Sequence, residues 1–256
     1  MALPNREIYN TVQRINRRFG RGSKEAEFLT RRAWNTSRYE DDFQGDTLWG
    51  GYQSTASGAN SAAAAISTGV VSGAILLDAG DANAGRCDLS WGLHYQAQLG
   101  AMYVARFSIN TITTRKFEIG FTDVISGTDA GAVATKATPT FNATDFCGLV
   151  YDTNDDTNVT LIGAKAGVAA TVADLSFTLA AATYYYFGVA LFDENDSALG
   201  FVLDADGRLL AKATITDAVT STTLLTPWLF VQNRGGSAGT MTVDWHEASQ
   251  FRTTAI

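Results

Sequence analysis

YYYFGVALFDENDSALGFVLDADGRLLAKATI, residues 184–215, is the stretch from which the architecture follows. Its opening run, YYYFGVALF (184–192), is apolar at the odd and the even positions alike. That is the pattern of a strand enclosed on both faces, not of one lying on a wet surface. After the acidic interruption DENDS (193–197), two apolar runs flank Asp206-Gly207. An Asp-Gly pair there is hairpin chemistry, because glycine takes the positive φ that a tight turn between twisted strands needs. A strand covered on two faces requires layers on both sides, so this stretch predicts a sheet packed within a sandwich.

The same period of 2 extends outward from it. In AMYVARFSI (101–109) Tyr103, Ala105, Phe107 and Ile109 share one face, with Arg106 and Ser108 opposite; in KFEIGFTD (116–123) Phe117, Ile119 and Phe121 alternate with Glu118 and Gly120. Both read as half-buried strands. In TMTVDWHEA (240–248) the alternation places Met241, Val243 and Trp245 inward and Thr242, Asp244 and His246 outward. About a dozen such runs are too many for one open sheet and predict two antiparallel sheets packed face to face. Scarce proline (3) and plentiful glycine (24) suit short strands and tight turns. A chain of 256 residues with 46% apolar side chains buries roughly three quarters of its unfolded surface, so one core needs no staple. Cys87 and Cys147 lack a CxxC frame and are expected as two buried, reduced thiols rather than one disulfide.

Residues 1–38 differ in kind. They hold nine Lys/Arg against three Glu, a balance of +6, while the whole chain is −7, which leaves −13 for residues 39–256. Ile8, Val12, Ile15 and Phe19 recur as a helical stripe, with Arg14, Arg17 and Arg18 mostly off it. Gly20 and Gly22 interrupt the pattern; Ser23 then caps a second short helix with Glu25 and Glu27 in its first turn and Arg31 and Arg32 in its last. Helices this short are marginal alone and must lie on a surface. The stripe and the arginines together fit an acidic protein surface, whereas a −13 body would be repelled by nucleic acid. The first residues lack the apolar core of a secretory signal and no stretch approaches the roughly 18 apolar residues of a membrane span, so neither export nor a membrane is expected.

Three stretches carry a resemblance to a known family. In order along the chain, YEDDFQGDTLW (39–49), FTLAAATYYYFGVALFDENDSALGFVLDADGRL (177–209) and PWLFVQNRGGSAGTMTVDWHEASQF (227–251) resemble the opening strand, late hairpin and closing strand of concanavalin A-like (lectin/glucanase, LamG-type) jelly rolls. In style the chain is similar to jelly-roll virion proteins of tailed bacteriophages. The resemblance implies an all-β, two-sheet antiparallel jelly-roll sandwich over 39–256 behind a short helical arm over 1–38. It further implies a capsid decoration or cement protein, trimeric, assembled in the host cytoplasm and bound on the virion surface to the major capsid protein or other virion proteins. The arm residues Ile8, Val12, Arg14, Ile15, Arg17, Arg18, Phe19, Arg31 and Arg32 are then the expected partner contacts.

No catalytic residue, metal or cofactor is expected. Glucanases of this superfamily use two glutamates on one strand around an aspartate. The best strand candidate here, FEIGFTD (117–123), offers Glu118 and Asp123, five apart and so on opposite faces. His94 and His246 stand beside no nucleophile. DTNDDTN (152–158) begins like a calcium loop, but Thr157 stands where glycine is needed and Gly163 where a bidentate glutamate belongs. It reads as a solvated turn between strands, as do DAGDAN (78–83) and DENDS. Carbohydrate is the alternative ligand: Trp49, Tyr52, Trp91 and Tyr95 are candidate sugar-stacking rings, unless they pack between the sheets. A degenerate glycoside hydrolase is a further alternative.

Overall fold

The computed structural model describes residues 36–45, 47–67, 73–124 and 131–252. All the arm residues named above as partner contacts therefore lie outside the described residues. In chain order the strands are β1 (Thr36–Asp41), β2 (Ala56–Ser57), β3 (Ala62–Ile66), β4 (Ile75–Asp78), β5 (Arg86–Ser90), β6 (Met102–Ile109), β7 (Arg115–Thr122), β8 (Val133–Thr135) and β9 (Thr140–Phe141). They continue with β10 (Phe146–Asp152), β11 (Asp156–Lys165), β12 (Val168–Ala169), β13 (Ala173–Asp174), β14 (Tyr185–Leu191), β15 (Ala198–Leu203), β16 (Leu209–Ile215), β17 (Thr226–Asn233) and β18 (Thr240–Phe251). Sheet A has the order β16-β15-β14-β6-β18-β4-β3, with β1 also on β18. Sheet B has the order β12-β11-β10-β7-β17-β5-β2, with β13 on β11; β8 and β9 form a pair of their own. The two large sheets are antiparallel throughout and make the expected all-β sandwich.

The stretch that opened the sequence reading forms the heart of sheet A. β14 lies between β6 and β15, closed on both faces. The β15–β16 hairpin turns through residues 204–208, where Gly207 has φ 77° and the Asp204 amide donates to the Arg208 carbonyl at 3.0 Å. Between the sheets the inner faces meet in one core, with Phe107 and Phe187 edge-on at 4.9 Å and Phe117 stacked on Tyr151 at 5.2 Å. Cys87 on β5 and Cys147 on β10 are buried in it as free thiols, and burial raises both pKa values, that of Cys87 to about 11.

Three local expectations change. β1 begins at Thr36 and pairs with the end of β18, so residues 36–38 are strand and not arm; TSRYED has no apolar alternation that could signal it. β7 is not half-buried: all eight residues are buried, because residues 131–145 lie over the outer face of sheet B. Ala132, Val133 and Ala143 pack there on Phe146, Val150, Trp228 and Phe230. In β18 the register against β6 shifts between Val243 and Trp245. Asp244 is the extra residue of this bulge, and one extra residue inverts the facing of all that follow. Trp245 is therefore turned to the outside, while His246 and Ala248 are fully buried inside.

Candidate functional site

The outer face of sheet B has a polar centre. β7 carries Lys116 and Glu118 onto this face, and the register Glu118↔Phe230 and Gly120↔Trp228 brings β17 alongside. The Glu118 carboxylate is fully buried and fully occupied. Its Oε1 accepts the Val133 amide at 3.0 Å and meets Lys116 Nζ at 2.9 Å, and its Oε2 accepts the Ala132 amide at 2.8 Å and Trp228 Nε1 at 2.9 Å. Lys116 also donates to the Val133 carbonyl. Gly131 makes this approach possible: at φ 79° a Cβ there would stand 2.5 Å from Glu118 Oε1. The covering segment and the buried ion pair thus hold each other in place. All four of these contacts of the carboxylate are to groups of the fold itself. Asp123, the other acid considered, stands beyond the end of β7. It accepts the Thr144 amide at 3.2 Å, and burial raises its pKa.

A second cluster closes one edge of the sandwich, and it gathers residues far apart in sequence. β1 pairs with β18 so that Asp41 faces His246 across the ladder. Tyr52 joins them: its hydroxyl donates to Asp41 Oδ2 at 2.8 Å, lies 2.6 Å from His246 Nε2, and accepts from the Tyr39 hydroxyl at 3.1 Å. The Tyr39 hydroxyl also reaches Asp41 Oδ2 at 3.2 Å, and the Tyr103 hydroxyl lies 3.4 Å from His246 Nδ1, so each ring nitrogen of His246 has a hydroxyl partner. Burial lowers the His246 pKa to about 3, with the Asp41 charge opposing, so the ring is neutral at ordinary pH. Burial, followed by the contacts with Tyr39 and Asp41, drives the Tyr52 phenol far above its usual range. This network holds its protons and serves as a brace.

Around it the rings form a continuous stack toward solvent. Trp91 lies 4.6 Å from His246 and 5.6 Å from Tyr52; Trp49 stacks on Tyr39 at 5.0 Å. Trp49 is 52% exposed and is the outermost ring. Of the four rings considered for sugar, the structure brings Trp49, Tyr52 and Trp91 together, with Trp91 buried and Tyr52 half-buried. Tyr95 is buried, packed against Phe121 at 5.7 Å, a ring it shares with Tyr103. Nothing in the sequence singles out Tyr39, Asp41 or Phe43, and it presents Tyr103 only as a ring on a strand's buried face and His246 only as an outward residue beside no nucleophile. The alternation of Tyr39 and Asp41 within YEDDF was the only local signal, and it does not reveal a partner some two hundred residues away.

Acidic side chains of these loops are tied to cations or to an amide of the chain. Asp152 receives a two-pronged contact from Arg234, Nε to Oδ1 at 2.9 Å and a second nitrogen to Oδ2 at 2.5 Å, and its side chain is almost fully buried rather than solvated. Asp156 pairs with Lys136, and Lys165 bridges Asp196 at 2.5 Å and Asp217 at 3.1 Å. Asp81 accepts both contacts from the Asn60 amide at 2.9 Å.

No family model matches the chain, and no curated protein matches it in sequence. Many solved structures share its fold. Peanut lectin superposes with a TM-score of 0.56 at 12% identity, over 86% of this chain and 99% of the lectin. A Bacillus licheniformis β-glucanase gives 0.52 at 16% identity, over 83% of this chain and 97% of that one. The CBM2 module of the evolved Dit protein of Lactobacillus casei BL23 phage J-1 gives 0.51 at 13% identity, over 87% of this chain and 99% of the module. At these identities the likeness is one of fold: the lectin and glucanase jelly roll.

Proposed function

We propose that this concanavalin A-like jelly roll is a non-enzymatic structural protein of a bacteriophage virion, specifically a capsid decoration or cement protein joined to the particle through its basic arm. The observation that carries the reading is the closure of sheet B's outer face over Glu118, whose carboxylate is spent on Lys116, Trp228 and two backbone amides. A glycosidase needs two carboxyl groups converging on an open cleft, whereas here the central acid supports the fold. The virion setting draws support from the three-part sequence resemblance and from the phage-borne module of like fold. The major capsid protein is the expected partner, and a homotrimer the expected form, since closed cyclic symmetry presents each arm with the same site.

The test is particle composition. The chain should be present at high copy in purified virions, with density on the capsid exterior. Changing Arg14, Arg17, Arg18, Arg31 and Arg32 to Ala should lower occupancy in a salt-sensitive way, most strongly at low salt, since exposed pairs are screened within about 8 to 10 Å at physiological ionic strength. Absence of the chain from particles, or hydrolysis of a β-glucan by it, would overturn the proposal.

One observation favours a second reading, a glycan-binding module of a fibre or tail. The Trp49 ring is 52% exposed and lies stacked on Tyr39, an arrangement on which a sugar ring can rest. Binding on a glycan array that disappears in Trp49→Ala, with melting unchanged, would support it.

A further inference from the structure

The ring stack at the edge of the sandwich has a charge as well as a shape. Trp49 is 52% exposed, yet three neighbours hold its indole. Tyr39 stacks on it at 5.0 Å and 30°, and Tyr52 stands edge-on at 5.6 Å. Gly51 lets the six-membered half of the indole lie on the backbone: a Cβ there would stand 2.1 Å from Cη2 and 2.3 Å from Cζ3. An exposed ring that packing has already fixed loses little freedom when a ligand settles on it. Behind the rings stands a carboxylate. The Tyr39 and Tyr52 hydroxyls reach Asp41 Oδ2 at 3.2 and 2.8 Å, and the Phe43 amide donates to Oδ1 at 2.7 Å. All three donors are neutral, and among the described residues no cation pairs with Asp41. Arg38 of β1 is engaged by Glu40 at 2.5 Å and Glu247 at 3.0 Å, and burial keeps His246 neutral at ordinary pH. Asp42, next along the chain, is exposed and is met by the Gln44 amide at 2.8 Å, again a neutral donor. The edge thus presents an indole on a ground of uncompensated negative charge. Both attract a cation: the indole face is the best cation–π surface among side chains, and Asp41 is separated from it only by the phenols that contact both.

We propose that the Trp49 platform takes saccharides that carry a free ammonium group, hexosamine units without N-acetylation, in preference to neutral or acidic sugars. The proposal rests on the glycan-binding reading above and narrows its ligand. The apolar C–H face of the pyranose lies on the indole, and the ammonium at the rim of the sugar is drawn both to the indole and to Asp41, whose field reaches about 8 to 10 Å at physiological ionic strength. A neutral sugar keeps the stacking and forfeits the charge. A uronic acid or a sulfated sugar is repelled by Asp41 and Asp42, and by a body that carries −13 over residues 39–256. N-acetylation turns the ammonium into an uncharged amide, so the free and acetylated forms of one sugar separate the contribution of charge from that of shape.

Titration calorimetry on the full chain supplies the test, with a β-1,4-linked glucosamine tetramer and its fully N-acetylated counterpart, in mildly acidic buffer that keeps the amines protonated. The free-amine tetramer should bind about fivefold to tenfold more tightly, and raised salt should shrink that advantage while leaving the acetylated tetramer's affinity alone. Trp49→Ala should abolish binding of both. Asp41→Asn should remove most of the advantage and keep the affinity for the acetylated tetramer; where this variant does not fold, the salt dependence in the unaltered chain decides. Equal affinity for the two tetramers, or an advantage indifferent to salt, would overturn the proposal and leave the glycan-binding reading standing. An advantage that persists in Trp49→Ala would be the general attraction of a cation to an acidic protein, and it too would overturn the proposal. Binding of neither tetramer, nor of any sugar on a glycan array, would remove the glycan-binding reading together with the proposal.

Discussion

The outer faces of the two sheets are both closed, but by different physics. On sheet B the cover is inserted between two neighbouring strands, β7 and β10, and is fixed by a buried ion pair whose carboxylate takes two amides of the cover itself. On sheet A the cluster is apolar and is built, among the described residues, from the sheet alone. Polar groups in a dry place have to be satisfied one by one, so a polar closure fixes a single geometry and fails severely when one partner is removed. An apolar closure depends on area and tolerates sliding, exchange and release. Sheet B's cover is therefore part of the fold itself.

The comparison breaks most directly at Glu118. Glu118→Ala leaves the Lys116 ammonium buried without its carboxylate and orphans two amides and the Trp228 indole. It should cost about 3–5 kcal/mol and lower the melting temperature by roughly 10 °C in a domain of this size. A loss below about 1 kcal/mol in denaturant unfolding would mean that the ion pair does not hold the cover.

The next effect comes from the buried brace at the edge. The His246 pKa is lowered to about 3 in the folded chain, against about 6.5 unfolded, so the unfolded state binds the extra proton between those values. Stability from this group is complete above pH 6.5 and is lost as pH falls toward 3, by an amount on the order of a few kcal/mol. Unfolding measured across that window should slope downward for the unaltered chain and more gently for His246→Gln. Parallel slopes would remove His246 as the cause.

A smaller change sharpens the account of the cover. Gly131→Ala forces a Cβ at φ 79° to within 2.5 Å of Glu118 Oε1. Backbone strain of this kind costs about 1–3 kcal/mol, and melting should fall by a few degrees. Hydrogen exchange at the Ala132 and Val133 amides should report the loss before the rest of sheet B. The smallest expected effect is none. Asp152 is held by Arg234 and Asp156 by Lys136, so chelator should leave the melting temperature unchanged. A drop of several degrees reversed by calcium would show that the loop holds an ion which stabilises the folded state by mass action.

Much of the sandwich is legible in single stretches. The alternation of Tyr103, Ala105, Phe107 and Ile109 and the double-faced run at 184–192 identify strands, because a strand's side chains obey a period of 2 wherever one face is dry. Where the period is interrupted the sequence misleads. WHEA after Asp244 continues the pattern on paper, yet the bulge turns Trp245 out and His246 in, since register is decided by the hydrogen bonds that β6 offers and not by β18 itself. Glu118 shows the same limit: an acid on a strand signals a wet face until a segment from elsewhere supplies its donors.

The sequence by itself therefore determined the class of fold, the hairpin at Asp206-Gly207 and the contrast between a basic head and an acidic body, all of which are written in neighbouring residues. Tertiary structure alone decided that Asp41, Tyr52 and His246 share one hydrogen-bond network, that Glu118 is enclosed and that sheet A's outer face is shut. These depend on strands brought together from opposite ends of the chain, and no local pattern encodes a contact whose energy exists only after both partners have left water.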